Sequence, residues 1–317
     1  MRTQYKLKLV VAAGMSCLLS LSAIPNVHAE ARIHSEPSAI ASKNLLLDIA
    51  QSGKSLVAVG ERGHVLRSAD CGLTWKQVIV PTRATLNGLF FIDDKSGWIV
   101  GHDSTILQTR DGGASWSEVY RDTEAEPLFD VLFITDKKGF AIGAYGTFMH
   151  SEDGGSSWKS GTIYGEDDFH LYSIAYSRDG ELLVTGEAGS IYLSNNQGKE
   201  WHKISSPYEG TFFGQQLMRN GKILVYGMRG NLYSSDDLGQ NWSKISLGLQ
   251  TSLENSLITQ DGDPVLTGAS GVVLKSTDNG KSFKRLKQAN NSHRMALIQC
   301  QDKLLSVGEK GVEQVIE

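Results

Sequence analysis

A segment of about 41 residues recurs along this chain and limits its possible folds more than any other sequence feature. Each copy begins with a glycine and runs through a Ser/Thr-x-Asp-x-Gly-x-x-Trp pattern, as in GHDSTILQTRDGGASW at 101–116. Successive leading glycines are separated by 40–43 residues. Internal periods of 20–50 residues are typical of solenoids, propellers and other repeat arrays. The leading glycines are Gly60, Gly101, Gly143, Gly186, Gly227, Gly268 and Gly308.

Each repeat has the pattern of four short β-strands. Two apolar runs joined by polar turn residues precede the leading glycine, as in 87–101 and 171–186, and this pattern indicates a hairpin. A third run follows the glycine, and a fourth follows the Asp/Gly turn. Four antiparallel strands per repeat are typical of a propeller blade. We therefore predict an all-β protein, a seven-bladed β-propeller over residues 30–317, because no segment carries an apolar helical stripe longer than two turns.

The ends of the chain bear on how such a ring closes. The seventh copy, 308–317, lacks the fourth strand that the other copies have. The segment around residues 32–39 precedes the first complete hairpin and is free to supply that strand. Pairing the two termini in one blade would protect sheet edges that otherwise template aggregation. We expect residues 30–40 to lie beside 312–316.

Residues 1–29 have the three regions of a secretory signal. A charged start is followed by an apolar run of about 16 residues and then by Val27-His28-Ala29, which predicts cleavage before Glu30. The alternatives are an uncleaved membrane anchor and a lipoprotein modified at Cys17. Without this segment, the chain has 28 basic and 35 acidic residues, which argues against binding to nucleic acid. We expect an exported protein, located in the periplasm.

The mature chain keeps two cysteines, Cys71 and Cys300. An oxidising compartment permits a disulfide, and the two residues would be neighbours if the ends of the chain meet. Because they are far apart in sequence, we expect two unpaired thiols, and the disulfide remains the alternative. Neither cysteine belongs to a pair with zinc-ligand spacing.

The repeated acidic motif is of the type called an Asp box. A short carboxylate can accept hydrogen bonds from the amides of its own turn, an asparagine retains that acceptor, and the aromatic ring can be buried between layers. The alternative is that the six acidic positions form a metal-binding or acid/base set. Such a set needs carboxylates that lie close together, whereas in a propeller these residues would cap separate turns around a rim. We therefore predict a structural role for Asp70, Asp111, Asp153, Asn196, Asp237 and Asp278, and for Trp75, Trp116, Trp158, Trp201, Trp242 and Phe283.

A search for catalytic motifs gives no enzyme class. The nucleophile elbow, the zinc-protease helix motif and the glycine-rich dinucleotide motif are absent from the sequence. Asp boxes also occur in sialidases, but the arginine triad of those enzymes cannot be identified here. We expect a protein that is not an enzyme and that has no cofactor and no metal, with a sialidase-like glycosidase as a remote alternative.

The longest loops combine acidic and aromatic residues. In a propeller, the connections between blades share one face with the turns that join the second and third strands. Exposed aromatic residues among polar ones suit protein contact. The alternative is that the aromatic rings pack between blades and the acids are only solvated. The candidate contact residues in these loops are Tyr164, Glu166, Asp167, Asp168, Tyr208 and Phe212.

The repeats resemble those of the β-propeller family of photosystem II assembly and stability factors. The family repeat is similar to V-G-x-x-G-x-I-L-x-S-x-D-G-G-x-x-W, and residues 59–75, 100–116 and 142–158 are close to it. The family includes relatives from organisms without photosynthesis. The resemblance implies a non-enzymatic, seven-bladed scaffold that assists a membrane protein complex through protein contacts. It also implies a periplasmic location or, in a photosynthetic host, a location in the thylakoid lumen.

The same resemblance implies an arginine-rich contact patch. The candidates are Arg62 and Arg229, together with Arg178 and Arg219. The expected partner is a membrane complex or its assembly intermediate, with no nucleic acid and no membrane span after cleavage. The alternative function is that of a generic periplasmic propeller that binds carbohydrate or peptide.

Overall fold

The computed structural model describes residues 33–165, 168–177 and 180–316, and within them the chain forms seven antiparallel sheets. The predicted seven-bladed β-propeller is confirmed. The predicted signal, residues 1–29, lies outside the described residues. Blade 1 contains β1 (Leu46–Ser52), β2 (Ser55–Gly60), β3 (Val65–Ser68) and β4 (Lys76–Val78); blade 2 contains β5 (Leu86–Phe91), β6 (Gly97–Gly101), β7 (Ile106–Thr109) and β8 (Ser117–Tyr120); blade 3 contains β9 (Leu128–Phe133), β10 (Gly139–Gly143), β11 (Phe148–Ser151) and β12 (Lys159–Ser160); blade 4 contains β13 (Leu171–Tyr176), β14 (Leu182–Gly186), β15 (Ile191–Ser194) and β16 (His202–Lys203); blade 5 contains β17 (Phe212–Leu217), β18 (Ile223–Gly227), β19 (Leu232–Ser235) and β20 (Ser243–Lys244); blade 6 contains β21 (Leu253–Ile258), β22 (Pro264–Gly268), β23 (Val273–Lys275) and β24 (Lys284–Arg285); blade 7 contains β25 (Arg294–Cys300), β26 (Lys303–Gly308) and β27 (Gly311–Gln314).

The first strand of each blade is the innermost one. Each first strand packs against the first strand of the next blade, and β25 packs against β1, so that the seven surround a common axis. The second strands lie within the blades with both faces covered, and β2, β6, β10, β14, β18 and β22 are buried at every position. This burial on both faces explains why their sequences are continuous apolar runs rather than alternating ones.

Two sets of connections lie at opposite ends of the strands. The turns between second and third strands and the connections between blades lie at one end, here called the upper face. The hairpins between first and second strands and the Asp-box turns lie at the other end, here called the lower face. Single turns of 3₁₀ helix occur at Glu61–Gly63, Ala144–Gly146, Met228–Gly230 and Ala269–Gly271 on the upper face, and at Ala41–Lys43 before β1.

Within the described residues, which begin at residue 33, the two chain termini do not pair as predicted to close the ring. Blade 7 has three strands, and no strand occurs between residues 33 and 45. Instead, the Ser35 N–H donates to Val80 O at 2.9 Å, and the Ser38 N–H donates to Gln77 Oε1 at 2.8 Å. The N-terminal segment is therefore held by blade 1, because its polar groups find partners at the end of β4 before the chain reaches β27.

The structure joins Cys71 and Cys300 in a disulfide, with their Cα atoms 5.6 Å apart. The expectation of two unpaired thiols was therefore wrong, and the alternative holds. Cys71 lies in the Asp-box turn of blade 1, and Cys300 ends β25 of blade 7. The ring brings together residues that are 229 positions apart in sequence, so sequence separation was a poor guide to their distance in space.

The Asp boxes form a repeated turn with one hydrogen-bond pattern. In blade 3, Asp153 Oδ1 accepts from the Ser157 N–H at 2.9 Å and Asp153 Oδ2 accepts from the Ser157 hydroxyl at 2.7 Å. The Ser151 hydroxyl donates to Asp153 Oδ1 at 2.9 Å and accepts from the Gly155 N–H at 2.9 Å. Gly155 has a φ of 79°, a conformation that glycine adopts without strain. These contacts lower the pKa of Asp153 to about 2, with the Ser157 hydroxyl as the main cause.

Asn196 occupies the acidic position in blade 4 and keeps the acceptor. Its Oδ1 accepts from the Glu200 N–H at 2.9 Å, and its side-chain amide donates to Glu200 Oε2 at 3.0 Å. The matching Trp201 is 8% exposed, and Trp116 and Trp158 are buried to a similar extent. The six turns occupy six different blades along the lower face, and each carboxylate or amide is bonded within its own turn.

Two features are absent from the part of the chain that the structure describes. Its helices include none that is long and apolar enough to span a bilayer. Its His, Cys, Asp and Glu residues include no group of three or more arranged to hold a metal ion.

Candidate protein-contact face

On the upper face, each of blades 1–6 displays one side chain from an unusual backbone conformation. In blades 1–6, the second residue after the leading glycine has a positive φ of 49–58° although it is not a glycine. In blades 1, 3, 4, 5 and 6 the next residue is a glycine that also has a positive φ, and this pair makes the tight turn into the third strand. The six displayed residues are Arg62, Asp103, Tyr145, Ala188, Arg229 and Ser270.

The candidate arginines do not form one patch. Arg62 and Arg229 are both exposed on the upper face, but they belong to blades 1 and 5 and lie on opposite sides of the axis. Arg219 lies in the hairpin between β17 and β18, on the lower face. Arg178 lies outside the described residues. The three candidate arginines that the structure describes therefore do not form the cluster that the resemblance implies.

Arg62 instead belongs to a pocket between blade 1 and the N-terminal segment. The pocket has a volume of about 390 Å³, and Arg83, His64 and Glu36 also line it. An Arg83 guanidinium nitrogen lies 2.8 Å from Glu36 Oε1, so that pair is partly neutralised. Arg62 is the cation of this pocket that forms no ion pair with another described residue. The arrangement suits an anionic group of a partner.

The candidate loop residues divide into exposed and packed ones. Tyr164 is 45% exposed, and Lys203 Nζ lies 5.7 Å from its ring centre. Asp168 is exposed. Tyr208 is half-buried and packs against Phe212, with ring centres 5.8 Å apart.

The prediction that Phe212 contacts a partner was wrong. It is fully buried, because the first position of each inner strand packs between two blades. Glu166 and Asp167 lie outside the described residues, so their assignment stays a prediction.

Sequence reasoning missed a cavity on the propeller axis. It has a volume of about 230 Å³ and is lined by the bulged starts of the inner strands. Its carboxyl groups come from Asp48, Asp130 and Glu254, and its aromatic rings include Phe129, Tyr172 and Phe213.

The two aspartates of the axial cavity join neighbouring blades. Asp48 Oδ2 accepts from the Leu89 N–H of blade 2 at 2.8 Å, and Asp130 Oδ2 accepts from the Ile174 N–H of blade 4 at 2.9 Å. The other oxygen of each carboxyl group accepts from the next residue of its own strand, at 2.8 Å in both cases. These side chains therefore replace backbone pairing where the bulges interrupt it.

Burial makes the ionised form of these carboxyl groups costly. It raises the pKa of Asp48 to about 7, with the negative charge of Asp130 as a second cause. Burial likewise raises the pKa of Asp130 to about 6. Close to the same cavity, the neighbouring carboxylate of Glu254 raises the pKa of His293, whose Nε2 lies 3.3 Å from Glu254 Oε1. Burial on the axis thus favours the protonated form of Asp48 and Asp130.

A run of aromatic rings extends from the axial cavity to the upper face. Phe129 and Tyr172 are stacked with centres 5.4 Å apart, and Tyr172 meets Phe213 edge-on at 5.1 Å. The His170 ring contacts Tyr145 edge-on at 4.6 Å, and Tyr145 is 60% exposed. The aromatic surface of the upper face therefore includes rings near the axis as well as Tyr164 in a blade connection.

Only one sequence signal could have revealed the axial residues. At the start of each inner strand, the two residues after the first apolar residue vary between blades, as in Leu-Leu-Asp (46–48), Leu-Phe-Asp (128–130) and Leu-Glu-Asn (253–255). Acidic residues at such positions break the apolar run, and comparing the repeats position by position would have singled them out.

Comparisons with known proteins agree with this architecture. A family model described as photosynthesis system II assembly factor YCF48 matches residues 31–127 and 117–263. Over 109 residues the chain is 34% identical to the chloroplastic photosystem II stability/assembly factor HCF136 of Cyanidioschyzon merolae, which covers 32% of this chain and 25% of that protein. Over 42 residues it is 45% identical to the photosystem II assembly protein Ycf48 of Thermosynechococcus vestitus, which covers 13% of this chain and 12% of that protein. These alignments thus span a quarter or less of the length of each relative.

The fold has also been seen in solved structures. A structure titled "YCF48 bound to D1 peptide" superposes with a TM-score of 0.71 over 87% of this chain and 92% of that one, at 19% sequence identity. At this identity the likeness concerns the fold alone.

Proposed function

Because this chain belongs to the family of the photosystem II assembly factor YCF48, we propose that it is an exported, non-catalytic binding protein that helps to assemble or stabilise a membrane protein complex. The observation that carries the proposal is the family match, which extends over residues 31–263 and so includes the first five blades. A family member has been seen with a peptide of D1, so we propose a polypeptide of a membrane complex as the partner here.

The upper face is the surface that we assign to this partner. It presents Arg62 and Arg229 together with the exposed Tyr145 and Tyr164. Arginine and tyrosine are among the residues that contribute most to protein interfaces. The acidic residues 166–168 are also part of the proposal; Asp168 is exposed, and the other two lie outside the described residues.

Affinity capture from native membranes, followed by mass spectrometry, tests this function. We expect membrane proteins of one complex to be recovered with the mature chain. The double variant Arg62→Glu, Arg229→Glu should lower recovery at least tenfold, whereas Arg219→Glu on the lower face should not. A second variant, Glu166→Lys, Asp167→Lys, Asp168→Lys, tests the acidic loop. Equal recovery by all variants at an unchanged melting temperature would refute the assignment of the upper face.

A second candidate function is the binding of a small carbohydrate or a peptide side chain. The axial cavity favours it, because aromatic rings and carboxyl groups converge there on a volume that holds one sugar ring or one side chain. A glycan array probed with the mature protein and with Tyr172→Ala separates the two functions. Binding that is lost in the variant would support the second one.

A further inference from the structure

The axial cavity takes one side chain from the same position of every blade. This position is the second residue of each inner strand, where all seven strands carry a bulge. A bulge re-aims a side chain, and here the residue before it is buried in every blade whereas the second residue is only half-buried. The seven residues, in blade order, are Leu47, Asn87, Phe129, Tyr172, Phe213, Glu254 and Met295.

Aromatic rings form a continuous part of the cavity wall. They come from the consecutive blades 3, 4 and 5, where Phe129 stacks on Tyr172 and Phe213 meets Tyr172 edge-on. All three residues are half-buried, so part of each ring stays accessible. Aromatic rings attract cations electrostatically and also pack against apolar carbon atoms. This part of the wall therefore suits a ligand that has both a positive charge and an apolar stem.

The charged residues of the wall are all acidic. Asp48 and Asp130 lie one residue beyond the bulges of blades 1 and 3, and Glu254 lies at the bulge of blade 6. Among the described residues that line the cavity, none is a lysine or an arginine. His293 Nε2 lies 3.3 Å from Glu254 Oε1 and can offset that carboxylate. Neither Asp48 nor Asp130 forms an ion pair with another described residue.

The two aspartates are costly to ionise in the empty cavity. Burial raises the pKa of Asp48 to about 7, and the second cause is the negative charge of Asp130, so the two carboxyl groups are close enough to repel each other. Buried charges in proteins are normally paired. A cation between the two groups would offset both the burial and the repulsion, whereas a neutral sugar would offset neither.

An organic cation fits this wall better than a metal ion does. The described His, Cys, Asp and Glu residues include no group of three or more that could hold a metal. The cavity volume of about 230 Å³ admits the end of one long side chain. Because the inner strands start at the upper face, a polypeptide bound there can insert such a side chain along the axis.

We propose that the axial cavity binds the cationic side chain of a lysine or an arginine that a partner protein presents to the upper face. The apolar stem packs on the rings of Phe129, Tyr172 and Phe213. The charged end lies among the carboxyl groups of Asp48, Asp130 and Glu254. The inference rests on the proposed function as a binding protein and names the residue type that the partner must supply.

NMR of the mature protein, labelled with ¹³C at the methionine methyl groups, tests the proposal. The probes are N-acetyl-arginine methylamide, N-acetyl-lysine methylamide and the citrulline analogue, which keeps the shape of arginine without its charge. We expect at least one of the cations to shift the methyl signal of Met295, which lines the cavity, and to leave that of Met228, which lies on the upper face outside it. That cation should bind about tenfold more tightly than citrulline.

Three variants separate the cavity from the general charge of the surface. Glu254→Gln should weaken binding of the cation by about fivefold, because it removes one carboxylate of the wall. Tyr172→Leu should weaken it by about threefold, because it removes a ring. Asp103→Asn is the matched control and should leave binding unchanged, since it removes an equal charge from the upper face outside the cavity. Asparagine also tolerates the φ of 56° at that position.

Four outcomes would overturn the proposal. They are equal binding of arginine and citrulline in the wild type, equal shifts of Met228 and Met295, equal effects of Glu254→Gln and Asp103→Asn, and a shift of Met295 by glucose but by neither cation. The comparison of arginine with citrulline needs no variant, so it remains decisive if a substitution unfolds the protein. Capture of membrane proteins is a separate measurement. Capture without cation binding would refute this inference alone, and cation binding without capture would refute the proposed function alone.

Discussion

At the scale of single residues, the Asp-box turn depends on its hydroxyl as much as on its carboxylate. Ser151 links the two halves of the turn, because it donates to Asp153 and accepts from the Gly155 N–H. Thr109 makes the same contacts to Asp111 at 2.7 Å and to Gly113 at 3.0 Å. Serine and threonine are thus interchangeable at this position because the hydroxyl of either residue makes both hydrogen bonds.

Replacing this hydroxyl should destabilise the protein. Ser151→Ala leaves the buried Gly155 N–H without an acceptor, which costs about 1–3 kcal/mol. The free energy of unfolding in urea measures the effect. Ser151→Thr is the control and should lose much less, because Thr109 retains both bonds. A loss of equal size in the two variants would contradict the role of the hydroxyl.

The axial carboxyl groups should make stability depend on pH. The pKa of Asp48 is raised to about 7 from an ordinary value of 3.8, so the folded state binds its proton more tightly than the unfolded state. The contribution of Asp48 to the free energy of unfolding is therefore largest below about pH 4 and falls as the pH rises to about 7.

Denaturant titrations between pH 4 and pH 8 measure this dependence. We expect stability to fall over this range in the wild type and to fall less in Asp48→Asn. The Asp-box carboxyl groups act in the opposite sense, because a pKa lowered to about 2 at Asp70 means stability lost as the pH falls from about 4 to 2. An identical slope in Asp48→Asn and the wild type would show that Asp48 titrates at its ordinary pKa.

At the scale of elements, the leading glycine of each repeat marks the crossing of a second strand and a connection between blades. The φ of Gly143 is −167°, which any residue can adopt. A Cβ atom there would lie 2.1 Å from Pro127 O, and all seven leading glycines face a backbone carbonyl at 2.0–2.2 Å in the same way. The regular spacing of these glycines therefore records close backbone approach rather than unusual dihedral angles.

Alanine at this crossing should force the connection away from the strand. Gly143→Ala overpacks a site bounded by backbone, and such changes cost about 1–3 kcal/mol. The bond from the Ala144 N–H to Pro127 O, at 2.9 Å, should weaken with it. Thermal unfolding together with exchange of the Ala144 amide measures both effects, and an unchanged amide would argue against the crossing as the cause.

At the scale of the whole molecule, the repeat period fixed the blade number, because each unit must bury both faces of its sheet against neighbours. The strands of the hairpins followed from alternating apolar runs and turn residues. The way in which the ring closes could not be predicted from the sequence. Nothing in the sequence of residues 30–40 reveals that the polar groups of this segment bond to Gln77 and Val80 of blade 1. Phe212 and the axial Asp48 were misjudged or missed because both depend on how the bulged strand starts are placed around the axis.

The disulfide between Cys71 and Cys300 should be the main covalent contribution to ring closure. It joins blades 1 and 7, which share no strand pairing in the described residues. The double variant Cys71→Ser, Cys300→Ser should lose about 2–5 kcal/mol of stability. Calorimetry of both proteins measures the loss, and alkylation without reductant should label neither cysteine of the wild type. Labelling of both would contradict the bond.

The left-handed turn residues on the upper face have an evolutionary consequence. Their backbone is determined by flanking residues and by the carbonyl that each turn meets, while arginine, aspartate, tyrosine, alanine and serine all occur at the displayed position. Selection can therefore exchange these side chains one at a time without disturbing the scaffold beneath them. A protein that evolves to bind a new partner can therefore change these six side chains independently of one another.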